Sequence, residues 1–363
     1  MLPRLRPMVE TGRMDIILGH DTALGIWRSD LSNGSVVRAG IPHEPDILRV
    51  LQPAHILGRV SAPDAIAALE QSPRLLSVKG MAPLAKALSG HGVTLPLSTL
   101  VPSRDVRHRS RFVHSRVWAR GLGEGSVCRV ALSIDPTYPR QAESVLVASP
   151  ELAFVQLASK LDDLDLLLVG FELCGCYSMA LDGFVRRPPL TTPSRIFDVA
   201  RGLRGCKGVA RAIRVLRLVL PQSLSPKETH LVLILCLPAS HGGFALPRAS
   251  LNYRVDFDEE GRALTGSDFA LIDIAWPRER VGVEFDGHRD HSTTGKLIKD
   301  ELRRKALERK GWSITRIRSA QMTNVTQMKA IVRQLADELG HGVAPAEPEL
   351  DRMTSLMARL ARA

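Results

Sequence analysis

Residues 269–317 read FALIDIAWPRERVGVEFDGHRDHSTTGKLIKDELRRKALERKGWSITRI, and their pattern decides the fold of the C-terminal third. Two short runs, Leu271–Trp276 and Val281–Asp286, alternate with the period of two that marks strands. The Trp-Pro-Arg-Glu-Arg segment between them leaves a four-residue turn, Pro277–Arg280. With Trp276 paired to Val281, antiparallel register sets Asp273 opposite Glu284. Like charges so placed, roughly 5 Å apart at Cβ, repel. Alternation puts Asp286 on the face of Glu284, while Val281, Val283 and Phe285 point the other way. Three carboxylates on one otherwise apolar face need a counter-charge. A hard divalent cation, magnesium or manganese, is the simplest one for oxygen ligands.

The residues beyond the hairpin fit the same pattern. Gly287 lets the chain turn, and His288, Asp290 and His291 crowd the strand's exit. Ser292, Thr293 and Thr294 offer N-caps for a helix over 295–310, ended by Gly311. Ile298, Leu302 and Ala306 recur at helical spacing, and Lys296, Lys299, Arg303, Arg304, Lys305, Arg309 and Lys310 cover much of the rest. Trp312–Ile317 reads as a further strand, and Arg316 and Arg318 extend the basic character of the helix.

This run resembles the C-terminal domain of the very-short-patch-repair-like branch of the PD-(D/E)XK endonuclease superfamily. The resemblance rests on Asp273, on Val283-Glu284-Phe285-Asp286-Gly287 with His291, on Asp300 with Arg303, and on Gly311-Trp312-Ser313-Ile314-Thr315-Arg316. The superfamily's helix glutamate, ahead of the first strand, matches Glu228 in SPKETHLVLILCL. The resemblance implies a restriction-endonuclease-like α-β-β-β-α-β-α domain over 223–340 and magnesium-dependent cleavage of DNA. Asp273 and Glu284 would hold the metal, and Asp286 or Glu228 would complete its shell. Asp286 stands where the superfamily usually has the lysine of its E-x-K motif, a departure common in this branch. The lysine's task, positioning or deprotonating the attacking water, then passes to His291 or Lys296. Lys299, Arg303, Arg304, Arg316 and Arg318 would meet DNA phosphates.

Each of these residues also has a plainer reading. Ser225-Pro226-Lys227-Glu228 is a capping box, in which Glu228 serves only the helix start. Asp273 lies between Ile272 and Ile274, where a buried unpaired carboxylate costs several kcal/mol; that favours a ligand role. Asp286 before Gly287 either joins the site or shapes the turn. His291 is a proton shuttle or merely exposed. Lys296 and Asp300 form an ordinary i,i+4 ion pair or serve the site.

The whole chain has 363 residues, 44% hydrophobic and 24% charged, with net charge +11. That composition is ordinary for a globular chain, its length suits two or three domains, and its charge favours nucleic acid as partner. The five cysteines lack a CxxC pair and read as reduced core thiols of a cytoplasmic protein. No apolar run spans a bilayer, so no membrane partner is expected. Residues 1–13 read as a disordered or non-native start, since Met14 opens a clean strand. Residues 14–148 form a mixed α/β module; its proline-punctuated helices over 41–88 suit a winged helix. Residues 149–222 read as a helical bridge, and 341–363 as a linker and short helix. The fold class is therefore α/β (α+β) and multidomain. Around Phe112 and Trp118, a basic run that includes Arg107 and Arg109 either contacts phosphates or guards a solvated hairpin edge. The N-terminal half, through Val147, Ser149, Pro150, Glu151, Phe154 and Leu157, resembles AbiEi-type regulators of toxin–antitoxin pairs. That implies a protein partner in a defence system. Walker, G-x-S-x-G, G-x-G-x-x-G and H-E-x-x-H patterns are absent. The first functional expectation is a metal-dependent DNA endonuclease. The second is a non-catalytic DNA-binding regulator on the same scaffold, and the third a protein-interaction adaptor.

Overall fold

The computed structural model describes residues 13–29, 56–76, 78–90, 92–131, 144–180, 183–287, 294–340 and 348–363. Of the expected start segment 1–13, residues 1–12 lie outside the described residues, as do 341–347 of the linker, while Arg13 already belongs to the first strand. The chain folds as two compact units, one of residues 1–173 with 178–219, the other of 174–177 with 220–363. Among the described residues no helix is long and apolar enough to cross a membrane.

The first unit is built on strands β1 (Arg13–Leu18), β2 (Ile56–Arg59), β3 (Leu97–Val101), β4 (Val113–Val117), β5 (Val127–Ala131) and β6 (Ser144–Ala148). They form one mixed sheet in the order β2-β5-β6-β1-β3-β4. Its inner strands are buried on both faces: LSTLV of β3 and SVLVA of β6 expose no residue, as continuous runs of this kind require. Helices α1 (His20–Arg28), α2 (Ala62–Leu75) and α3 (Val78–Gly90) belong to this unit. α2 starts where Ser61 accepts the Asp64 amide, 3.3 Å away. The stretch expected to form a winged helix is described from Ile56 on; it supplies an edge strand and two helices of this sheet instead.

Helices α4 (Pro150–Leu157), α5 (Asp163–Cys174), α6 (Pro193–Gly202) and α7 (Val209–Leu216) follow, with the hairpin β7 (Tyr177–Ala180) and β8 (Gly183–Arg186) between α5 and α6. They do not form a free-standing bridge. Every residue of α4 is buried, so it needs neighbours all round, and it finds them in α1 and α6. Its Glu151 is tied to Arg59 at 2.9 Å and to the Thr191 hydroxyl at 2.7 Å, which anchors the helix in the first unit.

The second unit runs α8 (Pro226–Cys236), β9 (Ser250–Asp256), α9 (Glu259–Thr265), β10 (Phe269–Trp276), β11 (Val281–Asp286), α10 (Thr294–Arg309), β12 (Ser313–Arg318), α11 (Ser319–Met322), α12 (Val325–Leu339) and α13 (Leu350–Arg362). Its sheet has the order β12-β11-β10-β9. β9, β10 and β11 are antiparallel neighbours; β12 lies parallel to β11 and therefore needs the crossover that α10 provides. Over 223–340 the elements run helix, strand, short helix, two strands, helix, strand, short helix and helix. Gly311 ends α10 with φ +79°, where its amide bonds back to Glu308, and β12 begins one residue later than expected. At the sheet's centre Gly282 leaves no room for a side chain. A Cβ there would sit 2.7 Å from both Ile272 Cγ2 and Ile314 Cδ1.

Candidate functional site

The β10–β11 ladder pairs Trp276 with Val281, Ala275 with Gly282 and Ile274 with Val283, which is the register the turn length predicts. It stops one pair short of Asp273 and Glu284. Instead of a backbone bond, the Asp273 carboxylate reaches across and accepts the Phe285 amide at 2.8 Å. Ile272 and Ile274 on either side are wholly buried on the other face of the strand, and Asp273 itself is half-buried. Its carboxyl is pushed up to about 8, first by burial and then by the charge of Glu228. The Phe285 amide opposes this, Glu284 adds to it, and Arg303 draws the carboxyl back down. Among the described residues no cation stands within ion-pair range of Asp273.

Glu284 is buried and well supplied with positive charge. Arg303 Nη1 lies 2.5 Å from its Oε1, and Arg316 Nε 3.7 Å from its Oε2. The other amino nitrogen of Arg303 donates to the Leu271 carbonyl. At the end of β11 Asp286 is half-buried, with Arg318 Nε 3.5 Å away. Asp286, Arg316, Arg318, Gln321 and Gln327 border an open depression of about 480 Å³.

Glu228 fills the capping role its sequence allows. Its amide donates to Ser225 Oγ at 3.2 Å, as an N-terminal cap. Its carboxylate accepts the Leu224 amide, the Ser225 hydroxyl and Asn252 Nδ2, each at 2.9 Å, and still bears on Asp273 electrostatically.

Nothing among family models, curated proteins or solved structures matches this chain.

The structure therefore brings together Glu228, Asp273, Glu284, Arg303 and Arg316, with Asp286 and Arg318 beside them. Among the described residues no three His, Cys, Asp or Glu side chains are placed to hold one metal ion together. His288, Asp290 and His291 lie outside those residues, as does the side chain of Lys296, whose backbone is in the first turn of α10. Lys299 is exposed on α10. Arg304, expected at DNA phosphates, is engaged along its own helix by Glu301 at 2.6 Å and by Glu308. Arg303, expected there too, turns inward. Arg107 and Arg109 are exposed in the loop before β4 of the first unit. Neither Asn252, which holds Glu228 from β9, nor the inward turn of Arg303 was expected from the sequence. An asparagine inside the strand-like run SLNYRVD is the signal for the first; the second has none.

Proposed function

We propose that the second unit is a metal-dependent endonuclease that hydrolyses phosphodiester bonds in DNA. The observation that carries this reading is Asp273: a hindered carboxyl pressed by Glu228 and Glu284 and lacking a cation among the described residues. Folded chains do not keep such a group for stability, because removing its charge relieves them. The donor set is all oxygen, which suits magnesium or manganese. Asp273 and Glu284 would be its holders, with Glu228 or Asp286 as the third acid. When bound, the metal would supply positive charge to the reacting phosphate and the leaving oxygen. Asp273 would give up its proton on binding, and Glu228 would stay fixed by Asn252 and the Leu224 amide. Arg316 and Arg318, beside the open depression, and the exposed Lys299 would meet the phosphate backbone. The formal net charge of +11 agrees with an anionic partner.

A second reading, a non-catalytic DNA-binding regulator, draws on a specific observation: Glu284 already has Arg303 and Arg316 as counter-ions. One assay separates the two. Supercoiled plasmid incubated with the protein and magnesium or manganese becomes nicked or linear, chelation stops it, and Asp273→Ala and Glu284→Ala each abolish it while retaining DNA binding. Tight binding with no cutting of duplex, mismatched or single-stranded DNA selects the regulator.

A further inference from the structure

At the mouth of the hairpin, side chains replace the backbone ladder. Past Ile274 and Val283, β10 and β11 are joined by Asp273 accepting the Phe285 amide and by the guanidinium of Arg303. Arg303 comes from α10 and spans both strands, donating to the Leu271 carbonyl of β10 and to Glu284 of β11. Only a planar fork bridges a carbonyl and a carboxylate in this way; a lysine ammonium is a single point charge. Its neighbour cannot stand in for it, since Arg304 is held by Glu301 and Glu308 on the helix surface. Arg316 approaches the second oxygen of Glu284 at 3.7 Å, a looser contact than that of Arg303 at 2.5 Å.

We propose that Arg303 is the site's resident cation: its guanidinium and a divalent metal compete for Glu284. This rests on the reading of the acid cluster as a metal site. The reasoning is electrostatic. A divalent ion on Glu284 next to a hydrogen-bonded guanidinium meets like charge at close range in a poorly solvated spot, so one cation displaces the other. The metal-free chain stays folded because Arg303 neutralises the acid that the metal uses. A displaced Arg303, released from Glu284 but still on α10, is then free to donate to a phosphate oxygen beside the metal. Arg303 is thus a positioning residue rather than one more exposed contact on a basic helix.

Thermal melts in chelator and over a manganese titration test this, with Arg303→Ala, Glu284→Gln and the double variant. Arg303→Ala is expected to melt lower than wild type in chelator, because Glu284 loses its partner. Adding Glu284→Gln should recover part of that loss, which shows that the loss comes from the stranded acid and not from misfolding. In manganese, Arg303→Ala should show a larger upward shift, half-complete at a several-fold lower concentration. Equal responses of wild type and Arg303→Ala to manganese overturn the competition and leave the metal site standing. No response in either overturns both. A loss in chelator that Glu284→Gln does not relieve also overturns the proposal, since Arg303 would then not be neutralising Glu284.

Discussion

Asp273→Asn is expected to stabilise the metal-free protein, and by an amount that grows with pH. The asparagine keeps an oxygen to accept the Phe285 amide but carries no charge to bury. The sign follows from the carboxyl's shift from 3.8 to about 8 on folding. Between those values the unfolded chain has released the proton and the folded chain retains it. Stability therefore falls as pH rises through this window, and the loss is complete above the folded value. At pH 7 the span from 3.8 corresponds to an upper limit of about 4 kcal/mol, and relaxation and water entry reduce this to roughly 1–3 kcal/mol. For a unit of this size that is a rise of roughly 3–10 °C in melting temperature. Melts of wild type and Asp273→Asn in chelator at pH 5, 7 and 8.5 read it directly. The gap should be small at pH 5 and widest at pH 8.5. A variant no more stable than wild type, or a gap that ignores pH, refutes the account of Asp273 as a hindered acid.

Acid should destabilise both units through buried histidines. His20 is lowered to about 3, by burial and then by Lys160 and Arg116; His230 is lowered to about 4, by burial and then by Lys227. The unfolded chain takes up these protons near 6.5, so full stability holds above that value and is lost as pH falls toward 4, by about 3 kcal/mol at most per histidine. His20→Asn tolerates the left-handed backbone at φ 55° and should flatten the first unit's share of that slope; an unchanged slope counts against it. Gly282→Ala should destabilise the second unit by about 1–3 kcal/mol through overpacking against Ile272 and Ile314, and an unaltered melt would contradict the close packing. Duplex DNA should bind with an affinity that falls steeply with salt, and Arg316→Ala with Arg318→Ala should weaken binding and flatten that dependence. Salt-insensitive binding in an anisotropy titration speaks for a protein-interaction adaptor instead.

The hairpin was legible because its determinants are local. A proline turn of fixed length set the register, alternation set the faces, and Gly311 marked the helix end. Register alone therefore brought Asp273 toward Glu284. Contacts that join distant segments were not legible in this way. α10 carries several lysines and arginines on flexible stems, and nothing in their spacing says that Arg303 reaches Leu271 and Glu284. Asn252 lies 24 residues from Glu228 in a strand whose pairing to β10 depends on the folded sheet. The helices after Pro150 showed apolar content but not its direction. α4 is apolar all round, so periodicity gives no face, and its place in the first unit emerges only from packing against α1 and α6.

The central claim is that Asp273 is a protonated acid waiting for a cation, and one titration tests it most directly. Manganese is added to the metal-free protein at pH 7 in calorimetric runs with buffers of different ionisation enthalpy, which count the protons released. The account predicts saturable binding with about one proton released per ion, and neither the proton nor full affinity in Asp273→Asn. Binding without proton release, or no binding to the wild-type chain, would contradict it.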